Sequence, residues 1–216
     1  MVLQGELIRM KRGIYISALV FVLGATAGCR VQVDKSKDGN DKNVKIDTPM
    51  GGLHVRTNQL NAADVGLPAY PGAKLVTDHN GGDHDKESAD IHLGFGKWQL
   101  HVKVVSYQTP DSQDKVMAFY RKALGRYGDV LQCDNNQPVG TPTVTQEGLT
   151  CSESHGKNVH ISSDSMQMDD GLNLRAGSKH HQHIVGIKKS NDSNTHFSLI
   201  ELELPQDNGD DDSNSQ

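Results

Sequence analysis

Eleven histidines in 216 residues gather at a few places where imidazoles could share an ion. His180, His181 and His183 lie together, and on an extended strand His181 and His183 point to one face because side chains alternate. His92 and His101 become cross-strand neighbours if the chain folds back at Gly96-Lys97. Imidazole nitrogens suit zinc and copper, so His92, His101, His181 and His183 are the candidate metal ligands. Each pair offers two donors where a structural site takes four, and the opposing reading is polar histidines on a solvated sheet face. The loop Asp78-His79-Asn80 to Asp83-His84-Asp85 misses the calcium template, because Gly82 stands where an oxygen ligand belongs and Asp83 where the glycine does.

Catalytic templates are missing. Gly94-Phe95-Gly96 lacks the third glycine of a dinucleotide fingerprint, and no GxxxxGK[ST], HExxH or GxSxG occurs. Ser152 or Ser154 beside His155 would pair a nucleophile with a base, but sequence neighbours rarely meet that geometry. The sequence therefore reads as non-enzymatic, with no cofactor implied and a hydrolase hidden from motifs as the lesser alternative.

Three cysteines remain to be placed. Cys29 closes the stretch Met10–Cys29, in which Lys11 and Arg12 precede an apolar run from Ile14 to Leu23 and small residues from Gly24 to Gly28. That order is an export signal. As a helix the apolar segment to Ala27 rises about 21 Å, short of the hydrocarbon thickness of a bilayer. Met10 reads as a natural start, with residues 1–9 an upstream extension or a longer basic region. If Cys29 is set aside, Cys133 and Cys151 form an even pair that an oxidising compartment would join. Two free thiols are the alternative.

Ala25-Thr26-Ala27-Gly28-Cys29 resembles the lipobox of bacterial lipoproteins, with Thr26 standing where leucine is usual. The resemblance implies a lipid on Cys29, a membrane anchor through that lipid, and a place in the cell envelope facing the periplasm or the exterior. Cleavage after Ala27 by an ordinary signal peptidase, or retention as a short anchor, are the competing readings.

The expected organisation is a signal over residues 1–28, a lipidated cysteine and polar tether over 29–43, one domain over 44–204 and an acidic disordered tail over 205–216. Residues 44–57 read as a hairpin that either joins the domain or stands apart. Beyond residue 28 the chain keeps 19 basic residues against 26 acidic ones, and no basic stripe appears. Nucleic acid is excluded as a partner. A hydrophobic content of 35% implies extensive loops around one core.

Within the domain, Gly96-Lys97 suits a two-residue hairpin loop. Phe95 then faces Trp98, Leu93 faces Leu100, Ile91 faces Val102 and Ala89 faces Val104, all on one side. Asp90 faces Lys103 and His92 faces His101 on the other; a one-residue slip would scramble both faces. Thr109 as cap and Pro110 as first helical residue open a helix whose stripe is Val116, Phe119, Tyr120, Ala123, Leu124 and Tyr127, ending at Gly125 or Gly128. Strands are expected over 130–133, 183–188 and 196–204, weakly over 159–162 and 172–176, with a hairpin at 144–152. The class is α+β, a mainly antiparallel sheet with one principal amphipathic helix packed on it. From Tyr70-Pro71-Gly72-Ala73 to the Phe119-Tyr120 pair, the chain resembles uncharacterised bacterial envelope proteins over roughly residues 65–204. That resemblance implies no activity, and leaves a binding or scaffolding domain of unknown ligand.

Overall fold

The structure, a computed structural model, describes residues 29–35, 42–78, 85–86, 88–151, 171–188 and 193–205. The expected signal, the strand at 159–162, most of the acidic tail, and Ser152, Ser154 and His155 lie outside the described residues.

The strands are β1 (Arg30–Lys35), β2 (Lys42–Thr48), β3 (Gly51–Thr57), β4 (Lys74–Leu75), β5 (Thr77–Asp78), β6 (Asp85–Lys86), β7 (Ser88–Phe95), β8 (Trp98–Thr109), β9 (Leu131–Asp134), β10 (Gln137–Pro138), β11 (Leu172–Gly177), β12 (His181–Lys188) and β13 (Thr195–Glu203). Helix α1 (Gln113–Leu124) follows β8, and single 3₁₀ turns occupy Ala62–Val65 and Gly125–Tyr127. One antiparallel sheet runs β1-β2-β3-β7-β8-β13-β12-β11-β9-β10 with β4 beside β8; β5 and β6 pair separately. The class is α+β with a mainly antiparallel sheet.

The β7–β8 hairpin has the register expected from its loop, from Phe95 opposite Trp98 to Ala89 opposite Val104. Its long-range partners were not expected. β3 lies against β7, which brings the 44–57 hairpin into the main sheet, and β13 lies between β8 and β12. Residues 30–35, inside the stretch expected to be a tether, form β1 on the sheet edge against β2.

Both faces of the sheet are apolar over part of their area. Val105 and Tyr107 are buried with Val116, Met117, Tyr120 and Leu124 of α1 and with Leu174, Val185, Phe197 and Leu199. Leu100, Val102 and Val104 alternate with them along β8 and so point to the opposite face, where Leu202, Ile184 and Ile200 join them. The apolar ladder of the hairpin therefore belongs to the face away from α1.

Two local expectations are corrected. Helix α1 begins after Ser112, because Thr109 is the last residue of β8 and pairs with Thr195; the sheet ladder takes the residue that sequence alone would assign to a cap. The described part of the expected 144–152 hairpin, residues 144–151, forms no strands: a turn closed by Thr145 N–H to the Leu149 carbonyl, at 3.1 Å, takes its place. Cys133 and Cys151 are joined by a disulfide and buried with Leu131. Tyr70 packs edge-on against Phe119, and its hydroxyl donates to Asp111 at 2.8 Å, so the Tyr-Pro-Gly turn and the Phe-Tyr pair are in contact.

Candidate functional site

Seven strands carry a polar–x–polar triplet whose polar members share the α1 side of the sheet, since residues two apart on a strand do. They are Gln32-Val33-Asp34, Asn43-Val44-Lys45, His54-Val55-Arg56, Asp90-Ile91-His92, His101-Val102-Lys103, Glu201-Leu202-Glu203 and His181-Gln182-His183. The register aligns them into two rows across the sheet. One row reads Gln32, Lys45, His54, His92, His101, Glu203, His181; the other reads Asp34, Asn43, Arg56, Asp90, Lys103, Glu201, His183. Past the apolar patch whose residues are buried in one cluster with those of α1, this face is thus a transverse polar band. Its portion from β1 across to Glu203 of β13 lines a groove of about 660 Å³, with His54, Arg56, Asp90, His92, His101 and Glu203 in its wall.

From Arg56 to His183 acids and bases alternate along the second row, so Asp90 and Glu201 each sit between two bases. Asp90, 4% exposed, accepts from Arg56 and from His101 Nε2 at 2.7 Å. Lys103 lies opposite Asp90 in register, as the hairpin demands, yet its ammonium donates to Glu201 at 2.8 Å. Burial pushes the Asp90 carboxyl up, but the hydrogen bonds and charges of His101 and Arg56 outweigh it and hold it below its ordinary value. The same contest leaves Glu201 below the usual carboxylate range: burial raises it, and Lys103 and His181 bring it down further.

A carboxyl whose folded value is depressed contributes stability above its unfolded value, near 3.8 here, and loses it as pH falls through the folded value. Urea unfolding between pH 7 and pH 2 should show stability falling in the acid range, with a shallower fall for Asp90→Asn. Parallel curves for the two proteins would mean that Asp90 carries none of this dependence.

The four histidines proposed as ligands fall into two settings. His92 and His101 face each other as expected, with ring centroids 5.4 Å apart, but His101 already bonds Asp90 through Nε2 and approaches Glu203 at 3.7 Å through Nδ1. Among the described residues this pair belongs to no group of three ligand atoms all within 4.8 Å of one another. His181 and His183 share a face and are joined by Glu201, with ligand atoms of all three within 4.8 Å of one another. Glu201 escaped the sequence reading because β13 reaches β12 only in the folded sheet; the repeated polar–x–polar triplets are the signal that could have found it. His79 and His84 of the acidic loop lie outside the described residues.

His183 is held from behind. It is 3% exposed, stacks on Tyr127 with ring centroids 3.7 Å apart, and uses Nδ1 on the Val65 carbonyl at 3.2 Å. Tyr127 in turn donates to the Gly66 carbonyl at 2.6 Å. Gly66 caps the 3₁₀ turn at φ +70°, and a Cβ there would come within 2.7 Å of the Tyr127 hydroxyl and 3.1 Å of the His183 ring. Burial, reinforced by neighbouring His181, pushes the His183 imidazole below its ordinary range.

Comparison with protein-family models, curated proteins and solved structures finds no match to this chain. No helix among the described residues is long and apolar enough to cross a membrane.

Proposed function

We propose that this protein is a non-enzymatic, lipid-anchored component of the bacterial cell envelope whose α+β domain, with its one helix packed on the sheet, binds or scaffolds a partner through the polar band. The observation that carries the reading is the Cys133–Cys151 disulfide, buried with Leu131. Such a bond persists in oxidising compartments and is rare in the cytosol, and the export-type sequence ending at Cys29 gives a route there. The groove supports the binding half of the reading: its wall offers donors, acceptors and both signs of charge in one concave surface.

Lipid on Cys29 would hold the sheet edge close to the bilayer, because β1 starts at the next residue. A Cys29→Ser protein is expected to lose fatty-acid labelling and to leave the membrane fraction, while Cys133 and Cys151 stay oxidised. Persistent labelling of the variant, or two free thiols at Cys133 and Cys151 in the wild-type protein recovered from cells, would overturn the reading.

A further inference from the structure

From the geometry of β12 and β13 we infer that His181, His183 and Glu201 form an open, three-ligand site for one divalent transition-metal ion of the zinc type. The inference goes beyond the binding reading and stands without the lipid anchor, since it uses only side chains of the folded sheet.

Three features separate this corner of the band from the rest. The first is ligand number and kind: two imidazoles and one carboxylate are a set that zinc accepts with a solvent molecule in the fourth position, and nitrogen donors turn away calcium and magnesium. His183 and Glu201 are directly opposed in register, and His181 lies one step along β12 on the same face. The second is support from behind. His183 gives its Nδ1 proton to the Val65 carbonyl, which leaves the Nε2 lone pair free; metal-binding histidines are characteristically oriented this way by a backbone carbonyl on the far nitrogen. Tyr127 fixes the plane of that ring. Lys103 holds one Glu201 oxygen at 2.8 Å, and the other already meets His181 Nε2 at 3.1 Å. The third is access: the His181 side chain is 49% exposed, so an ion arriving from solvent meets a movable ligand in front of a fixed one.

Donor atoms in a tetrahedral zinc site stand about 3.4 Å apart, which follows from bonds of roughly 2.1 Å. The three ligand atoms already lie within 4.8 Å of one another, so side-chain adjustments of about 1–1.5 Å bring them to that spacing, and the half-exposed His181 has the most freedom to make them. The His92–His101 pair has no comparable path, because both His101 nitrogens face carboxylates.

The test is calorimetric titration of the full-length chain, in detergent, free of any polyhistidine tag and stripped with a chelator, using Zn²⁺ alone and then Cu²⁺ alone. One ion per chain with sub-micromolar affinity is expected for Zn²⁺. Affinity should fall roughly 100-fold or more in His181→Asn and in Glu201→Gln and stay within a few fold in His92→Asn. Melting of the metal-free variants shows that they fold; His181 lies at the surface, so its replacement is the safer of the two. Absorption spectroscopy at the zinc edge should report two imidazoles in a shell of nitrogen and oxygen. No sub-micromolar binding, unchanged affinity in His181→Asn and Glu201→Gln, an equal loss in His92→Asn, or a sulfur-containing shell would each overturn the assignment.

Discussion

Phe197→Ala is expected to lower the stability of the domain by about 3–5 kcal/mol, the cost of emptying a large aromatic site in a packed core. Phe197 is 1% exposed and lies where β13 meets α1 and the Tyr-Pro-Gly turn. Its ring stacks on Tyr107 at 5.8 Å, meets Tyr120 at 5.6 Å and stands edge-on to Tyr70 at 6.1 Å. These neighbours are themselves pinned. Tyr107 accepts from the Ala62 N–H, Tyr70 donates to Asp111 and Tyr120 donates to the Pro68 carbonyl, so they cannot collapse into the space without losing hydrogen bonds. A domain of this size has total stability of about 5–15 kcal/mol, so the variant should be marginal at 25 °C. Urea midpoints measured by circular dichroism check this; a loss below about 1 kcal/mol would mean that the cluster repacks or that the ring is not buried there.

Replacing both Cys133 and Cys151 with alanine, or reducing the bond, is expected to cost about 3 kcal/mol by the loop-entropy account. The two residues are 18 apart in sequence. The segment between them has little regular structure: β10 is two residues long, and Thr145 supplies a local turn through its backbone and through its hydroxyl, which accepts from the Leu149 N–H at 3.0 Å. A cross-link does most where the chain it closes would otherwise be free. Cys133 lies on β9, which pairs with β11, so the bond ties this segment to the sheet under the cluster Leu131–Cys133–Cys151. Unfolding with and without reductant measures the effect directly. Equal midpoints would show that the sheet and the Thr145 turn hold the segment unaided.

The register of β7 and β8 was legible because a two-residue loop fixes which residues face each other, and alternation then sorts apolar from polar side chains. The shared face of His181 and His183 was legible for the same reason. The helix stripe was also legible; Val116, Tyr120 and Leu124 are fully buried. Its start was not, because β8 pairs with β13 as far as Thr109, and a ladder hydrogen bond made to a residue 86 positions away leaves no mark beside Thr109 in the sequence. Likewise Val144 to Ser152 has the composition of a hairpin, yet Val144 is 51% exposed and the disulfide at Cys151 sets the path of the segment.

The amino-acid sequence alone determined what each strand could offer: one apolar face, one polar face, and histidines, acids and bases at alternate positions. It also carried the local turn that sets the β7–β8 register and the even cysteine pair that became a disulfide. Only the tertiary structure decided which strands lie side by side. β3 beside β7 brought His54 and Arg56 to His92 and Asp90; β13 between β8 and β12 carried Glu201 to both Lys103 and the His181–His183 pair. The physical reason is range. Turn chemistry and side-chain alternation act over a few residues, whereas the neighbours of a strand are selected by how the whole sheet buries its two apolar faces, and the polar band lies where those choices leave the α1 side uncovered.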